Sequence, residues 1–358
     1  MKTIEIVPWT EKWTQDFLLL KSRLNSILSG LPVRIEHVGS TSIPCLAAKP
    51  IIDLDIMVAT DTMLQQVIQK LKSAGFEHRG NLGIVGREAF YAPEGFGAKA
   101  HIYAGLSEIV AFRNHLAVRD ALLASSELRE AYGKMKGEIA REVTADMAAY
   151  CRKKTDFLVG ILQRSQLFSK TEILNIEIAN RHDILIRPIA EGDEAGAASV
   201  HIHSWREAYS GIIDQAYLDS LPANFSHRTK RWRQIIKDSF LGDRKTLVAV
   251  RDGNIVGIAS VGSARDQEFT DYGELWSLYL LRACQGKQIG YLLLSEAMKF
   301  LYQHGYRKAY AWVLTENPTK GFYERTGAVD SAIEKTDEIG GKFHQERAMV
   351  WNTLDAFL

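Results

Sequence analysis

The sequence predicts two joined domains of the α/β and α+β classes, each a sheet carrying helices. Three observations predict this. The 358 residues exceed the span of one typical domain of roughly 100–200 residues. In the first half, short apolar strands alternate with helical stretches. In the second half, an apolar strand runs into a glycine-containing turn that opens an amphipathic helix.

Trp13, Phe17, Leu20, Leu24 and Leu28 recur at helical spacing, which predicts a helix over residues 10–29. A strand at 33–38 breaks at Gly39-Ser40-Thr41-Ser42, and IIDLDIMV after Pro50 reads as a second strand. A helix from Leu64 stops at Gly75. Strands with glycine turns follow over 76–103, then a helical stretch over 108–166 rich in Ala, Leu, Glu, Arg and Lys. Residues 168–181, free of Gly and Pro, read as a linker with a short helix, which divides the chain into 1–167 and 182–358. Beyond it come a strand (DILIRPI), a helix over 193–209, a hairpin around Asp252-Gly253, a strand at 274–281, a helix at 289–303, a strand at 308–314, a short helix at 319–326 and a last strand at 346–352.

Composition narrows the function. Hydrophobic residues at 46% against 24% charged match a folded protein, which excludes disorder as the main state. A net charge of +1 lacks the positive excess that nucleic-acid binding requires. Cys45, Cys151 and Cys284 contain no C-x-x-C pair, so neither a zinc nor a redox site is expected and a reducing compartment suits them. The N-terminus has no apolar leader, and no apolar run approaches the ~18 residues of a membrane span. The expectation is a cytoplasmic protein without a membrane or nucleic-acid partner; the oligomeric state is not legible.

In ELWSLYLLRACQGKQIGYLLLSEAM the turn at 285–290 precedes a helix N-terminus. Backbone amides there lack intrahelical acceptors and carry the positive end of the helix dipole, so Gln285, Gly286, Lys287, Gln288, Ile289 and Gly290 suit a pyrophosphate. HSWREAYSGIIDQAYLDSL, ELWSLYL, QGKQIG and ENPTKGFYERTGA occur in the order found in the GNAT N-acetyltransferases, and the second half resembles that family over nearly all of 183–358. Gln288 stands where the family usually has glycine, and the segment from Asn317 to Tyr323 is one residue shorter than its commonest spacing. The resemblance implies a GNAT acyltransferase fold, acetyl-CoA as cofactor and a small-molecule amine as acceptor. It implies that Tyr279 and Leu280 pair with the pantetheine arm, that Asn317 bonds its amides, and that Trp205 and Tyr209 line the acceptor side. A protonated amine of pKa ~10.4 needs a proton acceptor, for which Glu274 is the candidate, and the departing thiolate of pKa ~8.5 needs a proton from Tyr323.

In IIDLDIMV, Asp53 and Asp55 share one strand face, where two carboxylates repel unless a cation such as magnesium joins them. HVGSTSIPCLAAKPIIDLDI, with VPWTEKW before it and HLAVRDALL after it, resembles the GrpB family, which is similar to the nucleotidyltransferase superfamily. Cys45 stands where that family usually has glycine, and Val118 where it usually has Phe. The resemblance implies a nucleotidyltransferase-like mixed sheet with helices. Asp53 and Asp55 would hold metal, Gly39 and Ser40 phosphate, and His37, Lys49, Arg119 and Asp120 would belong to the polar surroundings of a nucleotide. His101 and Tyr103 occupy the later strand on which active nucleotidyltransferases commonly carry a third carboxylate. Acetyl transfer is the leading expectation. The alternatives are a nucleotidyltransferase with a secondary acetyltransferase half, and a non-catalytic sensor of nucleotide and acyl-CoA.

Overall fold

The computed structural model describes residues 5–82, 84, 86–143, 147–239 and 242–358. The chain forms two compact units, residues 1–168 and 169–358.

In the first unit α1 (Lys12–Ile27), β1 (Arg34–Val38), β2 (Ile52–Val58), α2 (Asp61–Ser73), β3 (Glu77–His78), β4 (Arg87–Tyr91) and β5 (Ala100–Leu106) precede three helices, α3 (Val110–Ala124), α4 (Ser126–Glu142) and α5 (Met147–Ser165). The sheet order is β1-β2-β5-β4-β3, with β2 and β5 parallel and the other pairs antiparallel. Trp13, Leu20 and Leu24 of α1 and Val67 and Leu71 of α2 pack with Ile52, Leu54 and Ile56 into one core. Helix starts follow local chemistry: Thr60 accepts from the Met63 amide, and Ser125 from the Leu128 amide. The Asp55 side chain, on the polar face of β2, is fully buried.

The second unit opens on α6 (Lys170–His182), within the stretch expected as linker. Ser169 and Glu172 close a capping box at its start, and Ile178 enters the core of this unit. Then follow β6 (Ile184–Pro188), α7 (Glu194–Ala208), α8 (Gln215–Ser220), α9 (Phe225–Asp238), β7 (Lys245–Arg251), β8 (Asn254–Ser263), β9 (Gly273–Leu280), α10 (Ile289–Gln303), β10 (Ala309–Leu314), α11 (Lys320–Arg325), β11 (Val329–Ile339) and β12 (Lys342–Trp351). The sheet order is β11-β12-β10-β9-β8-β7-β6, and β9 and β10 are its parallel neighbours. Leu292, Leu293, Ala297, Met298 and Leu301 of α10 fill one core. Ala197 and Val200 of α7 with Trp232 and Ile236 of α9 fill another against Val248 and Ile258.

Hydropathy alone does not mark α9 or β11. α9 buries only Trp232 and Ile236 among charged neighbours, and β11 is an edge strand with mostly exposed side chains. Among the described residues no helix is long and apolar enough to cross a membrane.

Candidate functional site

A fork in the second sheet creates the main site. β9 and β10 pair only at Gly273–Ala309 and Glu274–Tyr310, whereas β9 continues to Leu280 along β8 and β10 continues to Leu314 along β12. Past the pair at Tyr310, the edge of β9 that faces β10 keeps its backbone groups open to an extended ligand. β9 also carries a bulge: Ser277 pairs with Ser260 and Leu275 with Val261, leaving Trp276 unmatched.

The loop after β9 supplies donors. Among the described residues, none of the backbone amides from Gly286 to Tyr291 has an acceptor, and α10 begins at Ile289. Six successive N–H groups at a helix N-terminus form an anion cradle. Two side chains brace it, Gln285 donating to the Leu280 carbonyl at 3.1 Å and Lys287 to the Ala283 carbonyl at 3.2 Å. Gly286 has φ +73°, and Gln288 has φ 59° although it carries a side chain. A left-handed non-glycine residue costs ~1–2 kcal/mol. Glycine returns ~0.5–1 kcal/mol of that in chain entropy. Gln288→Gly should therefore stabilise the protein by roughly 0.5 kcal/mol, read as a higher urea midpoint at unchanged slope.

Aromatic rings gather beside the fork. Tyr323 lies on α11, buried between Phe322 and Trp351 at centroid distances of 5.3 and 5.7 Å, and its hydroxyl has no hydrogen bond among the described residues. Burial, then the nearby Tyr279, pushes the Tyr323 phenol above its usual range. Tyr209, packed edge-on against Trp205 at 5.0 Å, is pushed up by burial and by Tyr279, Tyr323 and Glu346, with Asn317 opposing. Buried Asn317 also accepts from the Thr319 amide at 3.0 Å, shaping the start of α11. The buried Trp205 indole N–H sits beside the Tyr279 phenol without a well-aligned bond. His201 stacks on Tyr279 at 4.8 Å and accepts from Arg228 at 3.1 Å. Burial and that arginine hold it near pKa 3, hence neutral. A hollow of about 680 Å³ lined by Glu207, Ser210, Arg282 and Glu316 borders the Tyr209 end of α7.

Two acidic groups near the fork differ in their surroundings. Glu274, expected as proton acceptor, is 1% exposed at the closed end of the fork. Its carboxylate accepts from the Arg265 guanidinium, from the Arg265 amide at 2.9 Å and from the Tyr310 hydroxyl at 2.9 Å. Both oxygens are therefore engaged, which makes it an anchor between strands. Glu346, which the sequence reading passed over, faces Leu314 from β12 at the open end. Its nearest cation is Lys335 at 3.6 Å, and burial raises its pKa against that lysine, with Asp337 adding to the rise. Only topology reveals it: Glu346 lies 72 positions from Glu274 in a segment without a motif.

In the first unit, Asp53 and Asp55 do share a strand face, but each meets a histidine. Asp53 Oδ1 pairs with His101 Nδ1 at 2.9 Å from β5, and Asp55 Oδ2 with His115 Nδ1 at 2.8 Å from α3. Burial raises the Asp55 pKa, with the His115 bond opposing. Asp53 Oδ2 packs where a Cβ on Gly39 would stand, and buried Asp55 Oδ1 has no hydrogen-bond partner among the described residues. Among the described residues no three His, Cys, Asp or Glu side chains converge to hold a metal. Magnesium is the ligand expected at this pair; in this structure each carboxylate is bonded to a histidine instead.

The remaining polar residues divide. Arg119 donates to Glu36 at 2.7 Å, to the His37 carbonyl at 3.1 Å and to exposed Asp120 at 2.8 Å, tying β1 to α3. His37 stacks on Phe17 at 4.6 Å, and burial lowers its pKa to about 4. Ser40 and Lys49 instead meet residues of α4 and α5 that the sequence reading did not single out. Lys136 Nζ donates to Ser40 Oγ at 2.9 Å, and Lys49 lies 4.6 Å from the Tyr150 ring.

Comparisons with known proteins follow the same division. Residues 3–164 match the family model described as GrpB protein, and residues 204–328 match the Acetyltransferase (GNAT) family. The chain is 31% identical over 174 residues to the uncharacterized N-acetyltransferase YuaI of Bacillus subtilis, covering 48% of this chain and 95% of that protein. It is 30% identical over 162 residues to the UPF0157 protein SCO7215 of Streptomyces coelicolor, covering 45% and 84%. Over 165 residues it is 27% identical to the spermidine N(1)-acetyltransferase of Thermoplasma acidophilum, covering 46% and 96%. A solved structure of the PaiA N-acetyltransferase from Thermoplasma acidophilum in complex with coenzyme A is similar at 25% identity and TM-score 0.37, over 46% of this chain and 97% of that one.

Proposed function

Because the chain belongs to two families, a GrpB domain joined to a GNAT acetyltransferase domain, we propose that it transfers an acetyl group from acetyl-CoA to a small cationic amine at the β9–β10 fork. The observation that carries this is the run of acceptor-free amides from Gly286 to Tyr291 beside the open edge of β9. That pair of features fits a pyrophosphate followed by an extended amide arm. Acetyl-CoA supplies an activated thioester when bound. The amides of 286–291 would hold its phosphates, β9 near Tyr279 and Leu280 its arm, and backbone donors at the bulged strand the developing oxyanion.

The protein's own groups manage the protons. Tyr323, kept protonated by burial, gives its hydroxyl proton to the departing sulfur. Glu346 takes a proton from the ammonium, directly or through water, and its negative charge also favours a cationic acceptor. Tyr209 and Trp205 form the apolar wall against which the amine's carbon chain packs. The relative that acetylates spermidine supports a di- or polyamine as the first acceptors to test. Thiol release from acetyl-CoA with an amine panel is the test, and no release with any amine overturns the reading.

Affinity for acetyl-CoA provides a second check. A Cβ at Gly290 meets Leu280 and Phe322 at ordinary contact, 3.7 Å, so alanine is accommodated, whereas an indole would cover the amides. Gly290→Trp should weaken acetyl-CoA at least ~10-fold, about 1.4 kcal/mol by calorimetry, with Gly290→Ala close to the parent. No nucleotidyl transfer is assigned to the GrpB domain. Its two carboxylates are each bonded to a histidine.

A further inference from the structure

One ammonium of the chain already sits beside the carboxylate that the proposed reaction uses. β11 and β12 pair at Val329–Val350 and Asp330–Met349, and a bulge before Glu334 then slips the register, so that Lys335 stands opposite Glu346. Lys335 Nζ lies 3.6 Å from Glu346 Oε2, 3.9 Å from Asp266 Oδ1 and 4.3 Å from the centre of the Trp312 ring. The four residues come from separate places in the fold: β11, β12, the loop after β8, and β10.

The walls of this seat are fixed. Asp266 Oδ2 accepts from the Trp312 indole at 2.9 Å and from the Tyr310 hydroxyl at 3.0 Å, which leaves Oδ1 toward the ammonium. Burial works against that carboxylate, yet these two bonds hold it below the ordinary aspartate range, with Lys335 and Arg265 adding to them. The indole that orients Asp266 also offers its ring face, so two carboxylates and one π face converge on one cation. The occupant is held less firmly than the walls. Both carboxylate distances exceed a hydrogen bond, and the Lys335 side chain keeps 37% of its surface exposed. A loose, solvated ion pair contributes little stability. Arg265, the other cation whose charge reaches Glu346, is committed to Glu274 through its guanidinium and its amide. Asp337, next on the same face of β11, adds negative charge and so favours a cation here.

We propose that Lys335 is a specificity-determining residue of the acetyl transfer, a tethered competitor that holds the seat of Trp312, Asp266 and Glu346 until the second ammonium of a diamine displaces it. The inference rests on the acetyl-transfer reading and on Glu346 as the group that meets the reacting amine. With one nitrogen at Glu346 and the other in the seat, both contact the same carboxylate, so a short alkyl link joins them. A monoamine has nothing to place in the seat and leaves Lys335 where it is. A tethered ammonium competes at roughly millimolar effective concentration, independent of how dilute the protein is. Lys335 thus sets how strongly the site prefers a second positive charge.

The test compares putrescine with butylamine, which share a carbon chain and differ by one ammonium, in thiol release from acetyl-CoA by the full chain. Lys335→Met is expected to raise the ratio of kcat/KM values, putrescine over butylamine, about 5-fold, through a lower KM for putrescine. Lys335→Arg keeps a cation in the seat and should stay near the parent ratio, whereas adding Asp266→Asn to Lys335→Met should cancel the gain. Equal gains for the two amines would reduce Lys335 to a general repulsive charge, and an unchanged or lowered ratio would make it a bystander or an aid to binding; each overturns the proposal. Calorimetry of both amines with the CoA-loaded chain reads the seat without turnover, and tighter putrescine binding by Lys335→Met is the result expected. A chain that acetylates no amine sinks the reaction, while that calorimetric difference, present or absent, still decides the seat. Lys335 lies on an edge strand, so its replacement leaves the core untouched, and Lys335→Gln removes the same charge if Lys335→Met fails to fold.

Discussion

Replacing Tyr323 by phenylalanine is expected to lower kcat ~10²- to 10⁴-fold while acetyl-CoA binding is largely kept. The substitution removes one oxygen. The ring stays packed between Phe322 and Trp351, and the hydroxyl makes no hydrogen bond among the described residues whose loss would disturb the fold. Burial raises this phenol, so it remains in its donating form throughout the neutral range. At about 1.36 kcal/mol per tenfold, the loss is ~2.7–5.4 kcal/mol in the barrier. Steady-state thiol release with calorimetry on the same sample measures both quantities. Full activity in the variant removes Tyr323 from the chemistry, and lost binding with unchanged turnover makes it a wall of the cofactor site.

Glu346→Gln is expected to lower kcat/KM ~10²-fold or more and to erase the acid limb of its pH profile. The ionised carboxylate is the active form, so in the parent the rate falls as pH drops through a pKa lifted above the ordinary glutamate value by burial. Stability moves the opposite way. A raised carboxylate pKa means the folded state holds its proton more tightly than the unfolded state. The associated stabilisation is complete below the unfolded pKa and fades as pH rises through the folded one. At neutral pH the ionised Glu346 is thus a cost, and the glutamine variant should melt no lower than the parent. A profile that keeps its acid limb would return the proton-acceptor role to another group. Glu274→Gln, at the anchored carboxylate, provides the comparison.

The sequence carries the elements with strong periodicity and the loops with distinctive chemistry. α10, the hairpin at Asp252-Gly253 and the strand containing Asp53 and Asp55 are each visible in a few residues. The fork is not, because β9 and β10 are both apolar strands and their divergence is a property of pairing. For the same reason Glu274 and Glu346 look alike in sequence, and only the partners Arg265 and Tyr310 distinguish the anchored one. Asp53 and Asp55 show the limit of strand alternation: it predicts a shared face correctly but says nothing of His101 and His115, which arrive from β5 and α3. The burial of Lys136 is hidden for another reason, since a lysine in a helical stretch rich in Glu, Arg and Lys carries no signal of its surroundings. Two departures from family pattern do acquire a physical meaning. Cys45 and Gln288, each where glycine is usual, both have positive φ, 66° and 59°, so the backbone demand of the position persists without the residue that meets it most cheaply.

Helix α6 has a practical consequence for separating the two units. The capping box of Ser169 and Glu172 marks its first turn, the Thr171 hydroxyl donates to the Phe357 carbonyl at 3.4 Å, and Ile178 fills part of the core beneath α10. A cut between Phe168 and Ser169 leaves all three intact. A cut at residue 182, where the recognisable catalytic motifs would invite it, strips a wall from the second unit and exposes the apolar surface that Ile178 covers. The boundary between the two units falls between Phe168 and Ser169, so excision of the second unit should start there, 13 residues earlier than its sequence motifs suggest.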